Sequence, residues 1–402
     1  LRLADGKTCL TVLDFVAQAN QSYNYESRFR ALVGKTTDSI EKEIKKGFTF
    51  LPRGCSITME RQAQEYILKN IHEAVFNLKR LRKECRSFTQ NTGQELTYEN
   101  FINNFNLDWR LVYKTPGSWS RLKVQSGIEV ADFDVNDDYI KLLEGGLARL
   151  YHTNSHEYLS YLDNLIRMGM KHPENATTRQ NKFLKLFYYT ICMNDIEKVN
   201  TNYNKNFNTI EEAVLSFANI KWFMEELRFL VTLRRNQLCQ TTQWLKVSDE
   251  AEIELYGCYS ADEIHLLLED KLGRWQVLGT QYNHENKFAM VFVTLNKSDK
   301  EYSPSTLYED YAISQEQFHW QSMNQVRQDS EEGRRITEQR TNGWKFILFV
   351  RDAKQDEYGN TNAYYCLGFM NYHSSHGECP MNVVWNMQNN IPGFILENAK
   401  AI

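Results

Sequence analysis

The chain has 402 residues, 42% of them apolar and 24% charged, enough to bury a sizeable core in two or three domains. Its longest apolar run, Phe288 to Leu295, is too short to cross a bilayer, and no charged-then-apolar leader opens the sequence, so neither a membrane span nor secretion is expected. The net charge of -4 is unevenly distributed: residues 1–250 carry 34 Lys and Arg against 30 Asp and Glu, and residues 251–402 carry 13 against 21, a local charge of -8.

The eight cysteines contain no Cys-x-x-Cys pair. That usage predicts reduced thiols in the cytoplasm and excludes a zinc ribbon.

In chain order, the first predicted element is Leu10-Thr-Val-Leu-Asp-Phe15, a β-branched apolar run that reads as a buried strand after the turn Asp5-Gly6-Lys7. Gly34-Lys35-Thr36-Thr37 imitates the end of a phosphate-binding loop. The position five before Gly34, where such a loop needs glycine, holds Phe29. Thr37 or Asp38 is better read as the cap of the following helix.

Residues 56–245 read as a helical middle domain. Ile67, Ile71, Val75, Leu78 and Leu81 recur at three- and four-residue spacing, so one face of a long helix is buried. The cations Lys79, Arg80, Arg82, Lys83 and Arg86 near its end read as a solvated helix terminus rather than a DNA path. Breaks are expected at Lys114-Thr-Pro-Gly-Ser118 and His172-Pro173, and a connecting loop from Ile128 to Asp138. The spacing of His152 and His156 would put both on one face of a helix, but Thr153 stands where a metalloprotease has its glutamate, so surface histidines are expected. Thr209 and Glu212 fit a capping box that opens a helix continuing through Trp222, Phe223, Leu227, Leu230 and Val231.

From residue 246 the period changes. Phe288 to Leu295 and Phe346 to Val350 are short apolar runs, while Met381, Val383, Trp385 and Met387 alternate with Asn382 and Asn386. These are strand signals, with one helix from Ser260 to Leu268 opened by the capping box Ser260 and Glu263. The fold class is therefore α+β, ending in a β-rich domain expected to be barrel-like, with a concave rim. His373-Ser-Ser-His376-Gly-Glu378-Cys379 carries metal-ligating residue types but lacks the second separated pair that closes a zinc site, so no metal is assigned.

The densest chemistry lies between Tyr302 and Asn324. Tyr302, Tyr308, Asp310, Tyr311, His319, Trp320, Gln321, Ser322 and Asn324 bring rings, a carboxylate, amides and hydroxyls together, the inventory for stacking on a nucleobase and reading its edge. Tyr308, Tyr311 or Trp320 would wall an extruded base, with stacking worth about 1–3 kcal/mol per base. Asp310 would accept from a cytosine amino group, and Gln321, Ser322 or Asn324 would donate to its ring acceptors. The acidic balance rules out a broad phosphate-tracking surface. A compact basic patch from Lys297, Arg327, Arg334, Arg335, Arg340, Lys345 and Arg351 is expected instead, with Arg351 a candidate phosphate ligand.

This segment, with Val293-Thr-Leu-Asn-Lys-Ser298, Ile347-Leu-Phe-Val-Arg351, Leu367-Gly368, His376-Gly377 and Pro380-Met381, resembles the C-terminal domain of unknown function that closes many bacterial DEAD/DEAH-type superfamily II helicases. Type IV restriction enzymes, which attack modified DNA, are among them. The resemblance covers roughly Leu255 to Pro392. It implies that residues 1–55 end the second RecA-like helicase lobe, where Arg2 would match the last arginine of motif VI and reach the nucleotide γ-phosphate. It implies further that the missing N-terminal half holds the motor, with ATP and Mg2+, and a nuclease often of the phospholipase-D type. No cofactor and no catalytic residue is expected in this part.

The expectation is thus the target-recognition half of a modification-dependent restriction helicase, partnered by DNA bearing a modified cytosine. Two rivals stand beside it. One is a protein-interaction or scaffold module, which the acidic balance suits. The other is a nuclease drawing on Glu309, Asp310 and His319, ranked last because the usual neighbouring lysine is missing.

Overall fold

A computed structural model describes residues 78–105, 107–236, 238, 243–273, 279–296, 310–356, 359–393 and 395–396, with Tyr25, Ile44, Ile57, Met59, Ala63, Gln64, Ile67 and Leu68 of the N-terminal part. The chain divides into two compact units, Leu1–Asn77 and Leu78–Ile402. In the first, Tyr25, Ile44 and Ile67 are buried, and Gln64 donates its side-chain N–H to the Ile44 carbonyl at 2.9 Å. The predicted strand at Leu10 to Phe15, Arg2, and Gly34 to Thr37 lie outside the described residues.

The second unit opens with helices α1 (Leu78–Thr92), α2 (Tyr98–Phe105), α3 (Arg110–Lys114), α4 (Trp119–Gln125), α5 (Asp138–Arg149), α6 (His156–Arg167), α7 (Thr178–Cys192), α8 (Ile196–Tyr203), α9 (Ile210–Ser216) and α10 (Lys221–Asn236). The anticipated breaks at Lys114 to Ser118 and at His172-Pro173 and the loop from Ile128 to Asp138 fall between helices, except that Lys114 is the last residue of α3 and Asp138 the first of α5. Thr209 caps α9 by accepting from the Glu212 N–H. The Glu212 carboxylate turns instead to Asn208, so the cap forms without its reciprocal half.

Helix α7 is central, burying Phe183, Leu184, Phe187, Tyr188 and Ile191. Helix α5 approaches it so closely that a Cβ on Gly146 would lie 2.7 Å from Ile191 Cα. Trp222, Phe223, Leu227, Leu230 and Val231 are buried as the apolar run requires, but on a helix of their own: α9 ends at Ser216 and α10 begins at Lys221, where one continuous helix from Thr209 was expected. Each such side chain contributes about 1.5–3 kcal/mol by leaving water. Glu226 of α10 is buried too. Its carboxylate accepts from the N–H groups of Trp119 (3.1 Å) and Ser120 (2.8 Å) and from the Tyr113 hydroxyl (2.6 Å), satisfying the first donors of α4. Burial outweighs these bonds and raises its pKa. The basic end of α1 also has a structural use: Arg82 bonds the Gln125 side chain and Arg86 the Ser126 carbonyl at 2.8 Å, tying α1 to the end of α4.

The β-rich part comprises β1 (Trp244–Lys246), β2 (Glu252–Glu254), β3 (Cys258–Tyr259), α11 (Ala261–Glu269), β4 (Thr280–Asn283), β5 (Phe288–Thr294), β6 (Tyr311–Ala312), β7 (Gln317–Gln321), α12 (Glu331–Thr337), α13 (Gln339–Asn342), β8 (Lys345–Arg351), β9 (Tyr364–His376) and β10 (Asn382–Met387). Ser260 and Glu263 form the predicted capping box of α11.

The large sheet runs β4-β5-β8-β9-β10-β7-β6, with β3 also paired to β9; β5 and β8 are parallel. Its ends, β4 and β6, do not pair with each other, so the sheet is open where a barrel-like closure was expected. Strand β8 re-enters beside β5 only after the chain has built β6, β7, α12 and α13, a crossover that sends β6 and β7 to the far edge.

Alternation along the strands makes two faces. One carries Val291, Phe346, Leu348, Val383, Trp385 and Phe318, packed with Ile336 of α12 and with Ile391 and Ile395 after β10. The opposite face is apolar on β5 and β8, where Phe292 meets Phe349 (5.4 Å between ring centroids) and His265 of α11 (6.4 Å).

The helical and β-rich parts interlock. Arg179 of α7 bonds Glu252 of β2 (2.6 Å) and Glu157 of α6 (3.0 Å), its guanidinium 4.3 Å above the Trp244 ring. The Trp244 ring N–H also donates to Glu157 at 2.7 Å. His152 was expected at the surface. It instead turns inward to Glu263 of α11 at 2.7 Å, because α11 packs over that face, and Glu263 also accepts from Thr190 at 2.8 Å. Four described cysteines (Cys85, Cys192, Cys258 and Cys366) are buried free thiols, and Cys379 is exposed. No helix among the described residues is long and apolar enough to cross a membrane.

Candidate nucleic-acid interface

On β7, β10 and β9 the face that is apolar over β5 and β8 turns polar. Gln317, His319 and Gln321 lie opposite Asn386, Val384 and Asn382 on the paired strand, and these face Asn371, Ser374 and His376 of β9. A bulge at Val384/Trp385 keeps both ladders in step.

Amides bond across this face in one sense. Gln317 Nε2 donates to Asn386 Oδ1 (3.0 Å), Gln321 Nε2 to Asn382 Oδ1 (2.9 Å) and Gln388 Nε2 to Asn371 Oδ1 (3.3 Å). Tyr311 of β6 stacks on His319, with centroids 4.6 Å apart and planes at 19°. Where the β6–β7 turn meets the end of β10 the surface opens into a half-open hollow of about 650 Å³, lined among the described residues by Ser314, Glu316, Gln317, Asn386, Met387, Gln388 and Asn390.

The structure distributes the sequence-predicted residues unevenly. Tyr302, Tyr308 and Lys297 lie outside the described residues, as does Arg2. Tyr311, His319 and Gln321 share the polar face. Asp310 is buried beside it and accepts from the Gln321 backbone N–H at 3.0 Å. Ser322 is fully buried, its hydroxyl accepting from the Met381 N–H at 2.9 Å, so it fastens β7 to the start of β10. Asn324 is exposed after the end of β7.

Trp320, expected as a wall of the site, points the other way. It is 3% exposed, in the apolar core with its ring 6.3 Å from Trp385, because successive strand residues face opposite sides; His319, on the polar side, is itself buried at 7% exposure beneath Tyr311.

The basic residues do not form one patch. Arg351 is buried, donating to the Thr294 hydroxyl (2.9 Å) and the Asn362 carbonyl (3.3 Å) with its guanidinium 4.4 Å from the Tyr364 ring. Lys345 donates to the Val247 carbonyl at 2.6 Å. Arg335 pairs with Glu331 and lies over Tyr282 and Trp344, 5.1 and 5.3 Å from their centroids. Arg327 is exposed between Asp329 and Glu378, each 3.4 Å away, and Arg334 and Arg340 are exposed on α12 and α13. Sequence clustering failed here because Lys345 and Arg351 stand at opposite ends of β8 while Arg327, Arg334, Arg335 and Arg340 lie before or on α12 and α13, and cations near ring faces or carbonyls are drawn to them.

Sequence reading missed Gln317, Asn371, Asn386, Gln388 and Asn390 as site residues. The signal was present for Asn386, which alternates with apolar residues on β10, but its partner Gln317 is 69 positions away. Among the described residues no group of three or more His, Cys, Asp and Glu side chains is placed to hold a metal ion.

No curated protein matches the chain. Residues 253–398, about a third of it, match DUF3427, a domain of unknown function, which agrees with the resemblance read from Leu255 to Pro392.

Proposed function

We propose that this chain is the C-terminal target-recognition portion of a modification-dependent restriction helicase, and that it binds DNA and reads an extruded modified cytosine on the polar half of its large sheet. The observation that carries the reading is the in-register set of Gln–Asn pairs beside the Tyr311–His319 stack. Amides present a donor and an acceptor side by side, the complement of a base edge. The Tyr311 ring supplies one flat surface for stacking. An extruded base must regain a few kcal/mol of lost stacking, which one ring and two or three hydrogen bonds can offset.

The acidic balance of residues 251–402 limits the phosphate contribution, so affinity on this proposal comes mainly from the base and its neighbours. In this reading ATP and Mg2+ belong to the motor lobes of the full-length protein, and no step at the sheet face draws on them. The same acidity favours a second reading, a protein-interaction module without base recognition.

Titrating the whole chain at low salt against matched duplexes bearing cytosine, 5-methylcytosine or 5-hydroxymethylcytosine separates the two. A preference for a modified duplex that Tyr311→Ala abolishes supports base reading. Equal binding to all three removes it, and no binding to any favours the interaction module.

A further inference from the structure

We propose that the solvent-facing side of α1 is a contact surface for the phosphate backbone of DNA, formed by Lys79, Lys83 and Arg86. It lies apart from the base-reading face of the sheet and shares with it only the nature of the partner.

Position along the helix comes first. Residues 79–86 carry Lys79, Arg80, Arg82, Lys83 and Arg86 against the single acid Glu84. The dipole of a helix end accounts for such cations only in the last turn. Helix α1 runs on to Thr92, and its last turn holds no basic residue. The reading of this cluster as a solvated helix terminus therefore fails.

Direction comes second. Helix α1 buries Leu81, Cys85 and Phe88. At about 100° per residue, Lys79, Lys83 and Arg86 fall on the opposite side, and all three are exposed. From Lys79 to Arg86 is about 10 Å of helix axis. Phosphates follow one another every ~3.4 Å along the axis on one strand of a duplex, so this line of cations can meet two or three of them.

The third observation is the want of internal partners. Elsewhere in the helical part cations face carboxylates, as in Arg121–Glu144 (2.7 Å), Lys185–Asp270 (2.8 Å) and Arg235–Asp163 (2.6 Å). No carboxylate among the described residues lies within 4.0 Å of Lys79, Arg82, Lys83 or Arg86. Arg86 is also steadied for contact. Its Nε donates to the Ser126 carbonyl, and both its Nη groups are without a partner among the described residues.

Charge complementarity names the occupant. Residues 1–250 carry 34 Lys and Arg against 30 Asp and Glu, whereas residues 251–402 carry 13 against 21, so a polyanion meets less repulsion on the helical part. A nucleic-acid backbone offers regularly spaced negative charge to a row of cations. Phosphate contacts on α1 would hold the DNA in place without reading its sequence.

The test uses the whole chain and a fluorescent, unmodified duplex, titrated by anisotropy at salt concentrations from about 50 to 200 mM. Lys79→Gln combined with Lys83→Gln is expected to reduce the slope of log affinity against log salt by about two, since each phosphate contact contributes about 0.9. Neither side chain bonds anything among the described residues, so the fold should survive. Lys79→Arg with Lys83→Arg should keep the slope. Lys171→Gln with Lys221→Gln removes the same charge at other exposed positions of the helical part and should leave the slope unchanged.

An unchanged slope in Lys79→Gln, Lys83→Gln overturns the inference, as does an equal fall in the control pair or the lack of any duplex binding at about 50 mM salt. Binding of polyglutamate as tight as that of the duplex would assign the face to an acidic protein and overturn it too. Base reading fails or stands separately. The α1 variants should weaken modified and unmodified duplexes by the same factor, so equal binding of all duplexes by the parent chain leaves the α1 contact intact.

Discussion

Gln317 and Asn386 sit directly opposite each other where β7 pairs with β10, and the side-chain amide of the first donates to the side-chain carbonyl of the second at 3.0 Å. The bond fixes both side chains against the sheet and leaves the Gln317 oxygen and the Asn386 N–H2 group without a partner among the described residues.

Half-buried side-chain hydrogen bonds of this kind between neutral groups add little to folding. Gln317→Ala and Asn386→Ala should each change stability by about 1 kcal/mol or less. Discrimination between modified and unmodified duplexes should be lost in both, and the double variant should be no worse than either single one. Urea denaturation and duplex titration on the same preparations check both halves of the expectation.

Trp320 should behave as core. Trp320→Ala is expected to cost about 3–5 kcal/mol of stability, whereas Trp320→Phe should keep the fold and leave the ranking of duplexes unchanged. Selective loss of discrimination in a stable Trp320→Phe protein would place the ring in the site after all.

Arg351 and Arg334 should separate cleanly. Arg351 is buried against Thr294, Asn362 and Tyr364, so Arg351→Ala should lower the urea midpoint without altering the salt dependence of any DNA binding. Arg334 is exposed, and Arg334→Ala, if it meets a phosphate, should reduce the slope of log affinity against log salt by about one.

Glu254 sets a pH dependence. Burial lifts its carboxyl from 4.5 to about 7, and its Oε2 has no partner among the described residues. In the unfolded chain the group ionises near its ordinary value. The native state therefore binds more protons between 4.5 and about 7, and this contribution to stability is lost as pH rises through that window. Thermal melts of Glu254→Gln should gain on the parent as pH goes from about 5 to about 8; parallel curves would refute the assignment.

The matched domain should not fold well when cut at residue 253. That cut removes β1, the first residue of β2 and the helical part whose His152, Thr190 and Lys185 hold Glu263 and Asp270. Residues 253–398 alone are expected to lack a cooperative thermal transition by circular dichroism, while residues 78–402 should show one.

Much of the local structure was legible in the sequence. The apolar runs at Phe288 and Phe346 became adjacent buried strands, Ser260 and Glu263 capped α11, and the alternation from Met381 to Met387 correctly divided β10 into a core side and a polar side. Such features depend on neighbours within one turn or one pleat, so residue order alone determines them. Which side each strand turned to what was settled only by tertiary structure. Alternation separates Trp320 from His319 without saying that α12 and the C-terminal segment cover the first, and a barrel and an open sheet share the same strands. The pairing of Gln317 with Asn386 and the dispersal of Lys345, Arg335 and Arg351 followed from strand order, which is set by contacts between residues far apart in the chain and has no local signature.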